Sequence, residues 1–241
     1  MEDSFKEKKI DFVVSNFSDL ENRLIDCLSY IPYTDQNFNT ISPKFIPIIL
    51  DTCSLIESIF EDLVDEKKGN FLKYSLKIED YLKLSETISI ILTSPIQFLN
   101  PFKDWQNKTP EWWEIYNKLK HDRLNNYHLI TYKSVILSLA ALHQVISKNR
   151  IFTNHIIAKG WVQPSEEDIA ELYCARMIDI GCLAAGVFSC ESNLFVSPLR
   201  DNFVENEGNV YSINYECEFS NRVRTLINFS EIDFPPNFEI S

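Results

Sequence analysis

Residues 112–128 read Trp-Trp-Glu-Ile-Tyr-Asn-Lys-Leu-Lys-His-Asp-Arg-Leu-Asn-Asn-Tyr-His, and they bring together the side chains in this chain best suited to chemistry. Wound at 100° per residue, Asn117, His121, Leu124 and His128 fall along one face, with Lys120, Arg123 and Tyr127 on the adjoining one. A guanidinium grips a phosphate through two parallel N–H bonds, and an imidazole can give or take a proton near neutral pH. Arg123 and His128 are therefore candidates for holding a phosphodiester and moving protons at it, with Lys120, His121, Asn117 and Asp122 as candidate substrate-binding residues. Over residues 117–133, Lys118, Lys120, Arg123 and Lys133 stand against Asp122, a local +3 in a chain whose formal net charge is −12. Such a basic patch suits an anionic group. His121 and His128 lie ~10.5 Å apart along a helix axis, too far to share one metal ion without further ligands, so no metal is expected.

The same residue types also have structural uses. Arg123 could form an ion pair with Asp51, Glu57 or Glu61, and Asp122 could orient a neighbouring histidine or arginine. Asn117 and His121 could fix the helix in a bundle through side-chain hydrogen bonds, and Trp112 and Trp113 are expected to anchor a core or an interface. His143 falls on an apolar seam, the place of a satisfied core histidine, and His155 sits in the loop-like Thr-Asn-His-Ile-Ile-Ala-Lys-Gly stretch.

Beyond this run the chain has no phosphate-cradling glycine loop, no dinucleotide-binding turn, no nucleophile elbow and no His-Glu-x-x-His pair, so no cofactor is expected. Cys27, Cys53, Cys174, Cys182, Cys190 and Cys217 are scattered without Cys-x-x-Cys spacing and read as reduced core or boundary residues. The charged first residues show no apolar leader. The longest apolar run, residues 135–142, is far short of the ~20 needed to span a bilayer. A soluble, cytoplasmic protein without membrane contact is expected.

These candidates have to be positioned by helices, because 5 glycines in 241 residues leave few sites for the tight turns of sandwiches and barrels. Apolar spacing predicts helices over 11–28, with Phe12, Val13, Phe17, Leu20, Leu24, Ile25 and Leu28 inward, and over 42–67, opened by Ser42-Pro43. A third is predicted over 75–92, stopped by Pro95, and residues 94–110 read as a proline-punctuated connection. Thr109-Pro110-Glu111 reads as an N-cap, a first-turn proline and an early acid, opening a helix that runs to about residue 148 with a bend at Asn125-Asn126. Its later part carries the seam Leu129, Tyr132, Ile136, Leu139, His143 and Ile146. A fifth helix is predicted over 164–187. Residues 210–219 alternate as a half-buried strand that Phe195-Val196 and residues 223–229 could join, with Glu207-Gly208-Asn209 as a turn and Pro235-Pro236 in a loose tail. The fold class is mainly α: an antiparallel helical bundle with a small C-terminal antiparallel β-hairpin or sheet.

On two features the chain resembles the HEPN superfamily, helical bundles of bacterial toxin, abortive-infection and antiphage systems and of some ribonucleases. Arg123 and His128 fit that family's R-x4–6-H signature, and Tyr116-Asn117-Lys118-Leu119-Lys120-His121-Asp122-Arg123 looks like the YN-x-x-KHDR segment of uncharacterised bacterial relatives. The resemblance covers about residues 10–150 and implies a HEPN-like helical bundle over 1–150; residues 151–241 lie outside it and are read from their own pattern as a C-terminal helix plus a small β appendage packing on the bundle. It further implies a homodimer that cleaves RNA without metal, Arg123 binding the scissile phosphate and His128 acting as general acid or base. Leu124 stands where nucleolytic members commonly carry a polar residue. The alternative function is a non-catalytic helical interaction protein that assembles with a partner of a defence or stress system.

Overall fold

Val14, Phe17, Leu20, Leu24 and Cys27 recur every three or four residues and form the buried stripe of α1 (Glu2–Leu28). Phe12, expected on that stripe, is 60 % exposed because the stripe runs through Val14 instead. The structure is a computed structural model that describes residues 2–64, 71–94, 96–162, 189–198, 204–206 and 209–212. Helix α2 (Phe45–Val64) begins after a turn in which the Lys44 N–H reaches Ser42 Oγ at 3.3 Å, and it buries Phe45, Ile48, Ile49, Cys53, Ile56 and Phe60.

Helix α3 (Phe71–Leu82) is shorter than the helix expected over 75–92. Lys83 adopts φ 52°, which terminates the helix, and the following Ile88, Ile90 and Ile91 are β-branched residues that favour a strand. They form β1 (Ser89–Ile91) and its lead-in, while the supposed connection over 94–110 contributes β2 (Gln97–Leu99). The buried Glu79 carboxylate holds this departure in place, accepting from the Ser85 hydroxyl, from Ser85 N–H at 3.1 Å and from Trp105 Nε1 at 2.6 Å.

Helix α4 (Glu111–His121) starts with Pro110 itself at the cap and no side-chain cap bond, so Thr109 does not play the capping part its type suggested. Glu111 and Glu114 do occupy the first turn, where acids complement the helix dipole. Trp112 and Trp113 are core residues: Trp112 Nε1 donates to Pro101 O at 2.9 Å, and the Trp113 ring lies 4.4 Å from that of Phe71.

Helix α6 (Tyr132–Lys148) is the centre of the molecule, and fourteen of its seventeen residues are buried. It packs on α1, α2 and α4 and, on another side, on β1 and β4 (Phe195–Pro198). The seam residues Tyr132, Ile136, Leu139, His143 and Ile146 are buried as expected. A short helix, α7 (Thr153–Ala158), returns along α1 and carries His155, so that histidine is helical rather than in a loop.

The sheet is antiparallel with strand order β2-β1-β4-β3, β3 being Ser189–Glu191. Ile90 faces both Phe98 and Val196 across the strands, and Cys190 faces Ser197. Phe195 and Val196 therefore pair with the middle of the chain and not with the strand expected over 210–219, as β1 offers an edge already fixed on α6. That later strand is seen as β6 (Asn209–Ser212), paired with β5 (Val204–Asn206). The helix expected over 164–187, Glu207-Gly208 of the expected turn, residues 213–219, residues 223–229 and Pro235-Pro236 lie outside the described residues, as do Cys174, Cys182 and Cys217. Cys27, Cys53 and Cys190 are buried free thiols, and burial pushes each thiol up from its ordinary pKa.

A polar run joins α6 to the sheet, with Gln144 Oε1 and His143 Nε2 at its ends buried without a partner among the described residues. Gln144 Nε2 donates to Thr87 O at 3.1 Å and to Ser89 Oγ at 2.8 Å, Ser89 Oγ lies 2.6 Å from Ser197 Oγ, and Ser197 Oγ lies 2.7 Å from His143 Nδ1. Either serine hydroxyl can donate in the Ser89–Ser197 bond, and the direction of the Ser197–His143 bond follows the tautomer of the imidazole. That ring is packed among Phe17, Phe195 and Trp161, fully buried, so no substrate reaches it and its serine neighbour is no nucleophile. Burial holds the His143 pKa down at about 3. An unfolded histidine titrates near ~6.5, so the stability His143 contributes is present above that pH and is lost as pH falls toward the folded value. Urea midpoints between pH 7 and 4 are expected to fall more steeply for the wild type than for His143→Gln; parallel curves would place the titration elsewhere.

Candidate functional site

The helix expected over 112–148 is broken into three pieces. Asp122 leaves helical geometry at φ −149°, ψ 84°, ending α4, and α5 (Arg123–Asn126) and a 3-10 turn (Tyr127–Leu129) follow. Ile130 and Thr131 are extended, and the axis of 123–129 meets that of α6 at 94°. The breaks thus fall at Asp122 and at Ile130-Thr131, on either side of the bend expected at Asn125-Asn126. Their cause is side-chain competition for backbone groups, the habit of Asp, Asn, Ser and Thr. The Asp122 carboxylate accepts from Asn125 N–H at 3.2 Å and Asn125 Nδ2 at 2.6 Å. Thr131 and Ser134 form a reciprocal capping box that starts α6, a Thr-x-x-Ser signal legible in the sequence and missed there.

Arg123 and His128 both stand exposed on this corner, and no residue of α5 is buried. Among the described residues neither the Arg123 guanidinium nor the His128 imidazole forms an ion pair or hydrogen bond, with each other or with the acids of α2. The His128 ring meets Tyr127 edge-on at 6.1 Å. Lys118 and His121 are exposed beside them, and Asn117 is half-buried. Neither Asn117 nor His121 makes a side-chain hydrogen bond among the described residues, so the bundle-fixing use considered for them is not made. Asp122 orients neither a histidine nor an arginine among the described residues; its carboxylate oxygens bond Asn125.

Lys120 is placed differently. Its Nζ bonds Glu57 Oε2 at 2.7 Å, the same oxygen that accepts from Tyr116 OH at 2.8 Å, and it lies 5.3 Å over the Tyr116 ring. Of the acids on α2 considered for Arg123, Glu57 is therefore used by Lys120. Tyr116 and Lys120 are one helical turn apart, a spacing from which their shared partner could have been read. Burial, reinforced by the bond to Glu57 and its charge, pushes the Tyr116 hydroxyl above its ordinary pKa, so it stays a donor. Lys120 ties α4 to α2, while Lys118, His121, Arg123 and His128 are each exposed to solvent.

Among the described residues no group of three or more His, Cys, Asp or Glu side chains is placed to hold a metal ion, and no single helix is long and apolar enough to cross a membrane. In comparisons with protein-family models, curated proteins and solved structures, nothing matches the chain.

Glu57→Ala leaves the Tyr116 hydroxyl and Lys120 without their acceptor and is expected to cost about 1–3 kcal/mol in urea unfolding. Lys120→Ala, which removes only a partly exposed ion pair, is expected to cost at most about 1 kcal/mol. Equal losses from the two would show that the tyrosine bond contributes nothing.

Proposed function

We propose that this chain is a HEPN-like, metal-independent endoribonuclease, working as an intracellular toxin or antiphage effector, with Arg123 and His128 at its reacting centre. One observation carries the reading: both side chains stand on an exposed corner outside the core, and no acid among the described residues claims the arginine. The α2 carboxylate of Glu57 bonds Lys120 and Tyr116, not Arg123.

The chemistry follows from the two groups. Arg123 grips the scissile phosphate bidentately and stabilises the charge that grows on its non-bridging oxygens. An imidazole takes the proton from the adjacent 2′-hydroxyl as that oxygen attacks phosphorus, and the departing 5′-oxygen receives a proton in turn. A homodimer that sets two Arg123/His128 pairs together supplies one imidazole for each transfer. Lys118 and His121 extend the cationic surface along the strand, and the overall charge of −12 confines RNA affinity to this patch and makes it salt-sensitive.

A second reading, a non-catalytic assembly protein of a defence or stress system, draws on a different feature of the same corner. Leu124 is 86 % exposed and Tyr127 53 %, apolar surface of the kind a protein partner covers.

Purified protein is incubated with labelled tRNA and mRNA in EDTA, beside Arg123→Ala and His128→Ala, with folding and oligomeric state checked for each. Cleavage by the wild type that each substitution lowers by about 100-fold or more supports the nuclease. A folded protein that leaves RNA intact favours the assembly reading, and cleavage that survives both substitutions moves the reacting centre elsewhere.

A further inference from the structure

The corner that carries Arg123 and His128 has little apolar packing to hold it: Leu129, at its end, lies partly buried against the core. None of residues 122–128 is buried, and Leu124, the side chain by which so short a helix would ordinarily be anchored, points to solvent. A four-residue helix is far below the length at which an isolated helix is stable in water. What fixes it is polar. Asp122 receives both the main-chain and the side-chain N–H of Asn125. Asn126 then reaches back across the break, its Nδ2 donating to Asp122 O at 2.8 Å and to Lys118 O at 3.2 Å. Lys118 O also accepts from Asp122 N–H at 2.9 Å, so the last turn of α4 is closed partly by its own chain and partly by a side chain from the next element.

The alternative conformation is a continuation of α4. Residues 119–126 lack proline and glycine, and nothing in their backbone forbids it. In that continuation Arg123 and His128 would point ~140° apart around one axis. The bonds of Asp122 and Asn126 select the broken path instead and so decide where the arginine and the histidine stand.

We infer that Asp122 and Asn126 are positioning residues, a side-chain clamp that holds Arg123 and His128 in register on a corner with little apolar packing. The inference rests on the function proposed above for the value of that register, but the clamp has a readout of its own. Asn126→Ala removes the bridge to Lys118 and Asp122 and substitutes a stronger helix former. Asp122→Ala removes the cap, whereas Asp122→Asn keeps an oxygen for the Asn125 N–H, an equally good cap.

Each variant is followed in two ways: by NMR of residues 118–131, including the His128 ring protons shifted by the edge-on Tyr127 ring, and by single-turnover RNA cleavage in EDTA. Asn126→Ala and Asp122→Ala are expected to shift the resonances of 122–129 and erase the His128 ring-current shift, leaving the α6 core resonances in place. They are expected to lower the cleavage rate constant by about 10- to 100-fold while changing RNA affinity by less than about 3-fold, because binding groups are kept and only their alignment is lost. Asp122→Asn, which keeps the bond to the Asn125 N–H, is expected to shift the corner resonances less than Asp122→Ala does. Corner resonances that stay put in both alanine variants overturn the clamp, and so does a loosened corner with an unchanged cleavage rate. If the wild type does not cut RNA, the nuclease reading fails by itself, and the NMR result alone judges whether Asp122 and Asn126 hold the corner.

Discussion

The burial of α6 on all sides is the constraint from which the rest of this structure follows. A helix with one apolar stripe can leave its polar side in water, but α6 also carries Ser138, His143, Gln144 and Ser147 inside the core. Each of these must find a partner there, since a buried polar group left without one costs about 1–3 kcal/mol. Ser138 and Ser147 bond carbonyls one turn back on their own helix. His143 and Gln144 cannot, and they meet Ser197 and the Thr87–Ser89 stretch from two segments of chain more than a hundred residues apart. The sheet therefore forms where α6 needs hydrogen bonds, and β1 and β4 pair because each is required at the same place.

Buried carboxylates do comparable work at the margins of that core. Glu21 on α1 accepts from the Ser192 hydroxyl, Asn193 N–H at 3.2 Å and Leu194 N–H at 2.9 Å, which fixes the turn between β3 and β4. Glu79 does the same for the chain leaving α3. In both cases the acid satisfies donors that a turn leaves unpaired, and the turn in turn allows a strand to reach the α6 side of the sheet. The corner at residues 122–129 is the inverse case. Its one apolar contact with the core is the partly buried Leu129 at its end, and the path after α4 depends on Asp and Asn side chains, so Arg123 and His128 stay at the surface.

Much of the helical part was legible from residue spacing, because a helix that buries one face repeats its apolar residues every three or four positions whatever it packs against. The α2 stripe, the α6 seam and the inward tryptophans of α4 are of this kind. The errors cluster where two local preferences were nearly balanced. Ile88 and Ile91 fit a helical period as well as a strand, and only the edge supplied by β4 and the stop at Lys83 decide between them. The candidate site was legible as a set of residue types, but not as a geometry: regular winding put Lys120 beside Arg123 as an equal, whereas a glutamate sixty-three positions away sets Lys120 apart.

The sequence by itself determined a mainly helical protein with a basic, hydrogen-bonding run at residues 116–128 in an acidic chain, since composition and period act locally and need no partner. Tertiary structure decided which residues end a helix, which strands pair and which cations remain exposed, because those outcomes depend on where distant donors and acceptors come to lie. Asp122 could cap a helix or sit within one, and Ser197 could belong to any strand; long-range burial around α6 and the polar bonds it demands select one arrangement among those the local preferences allow.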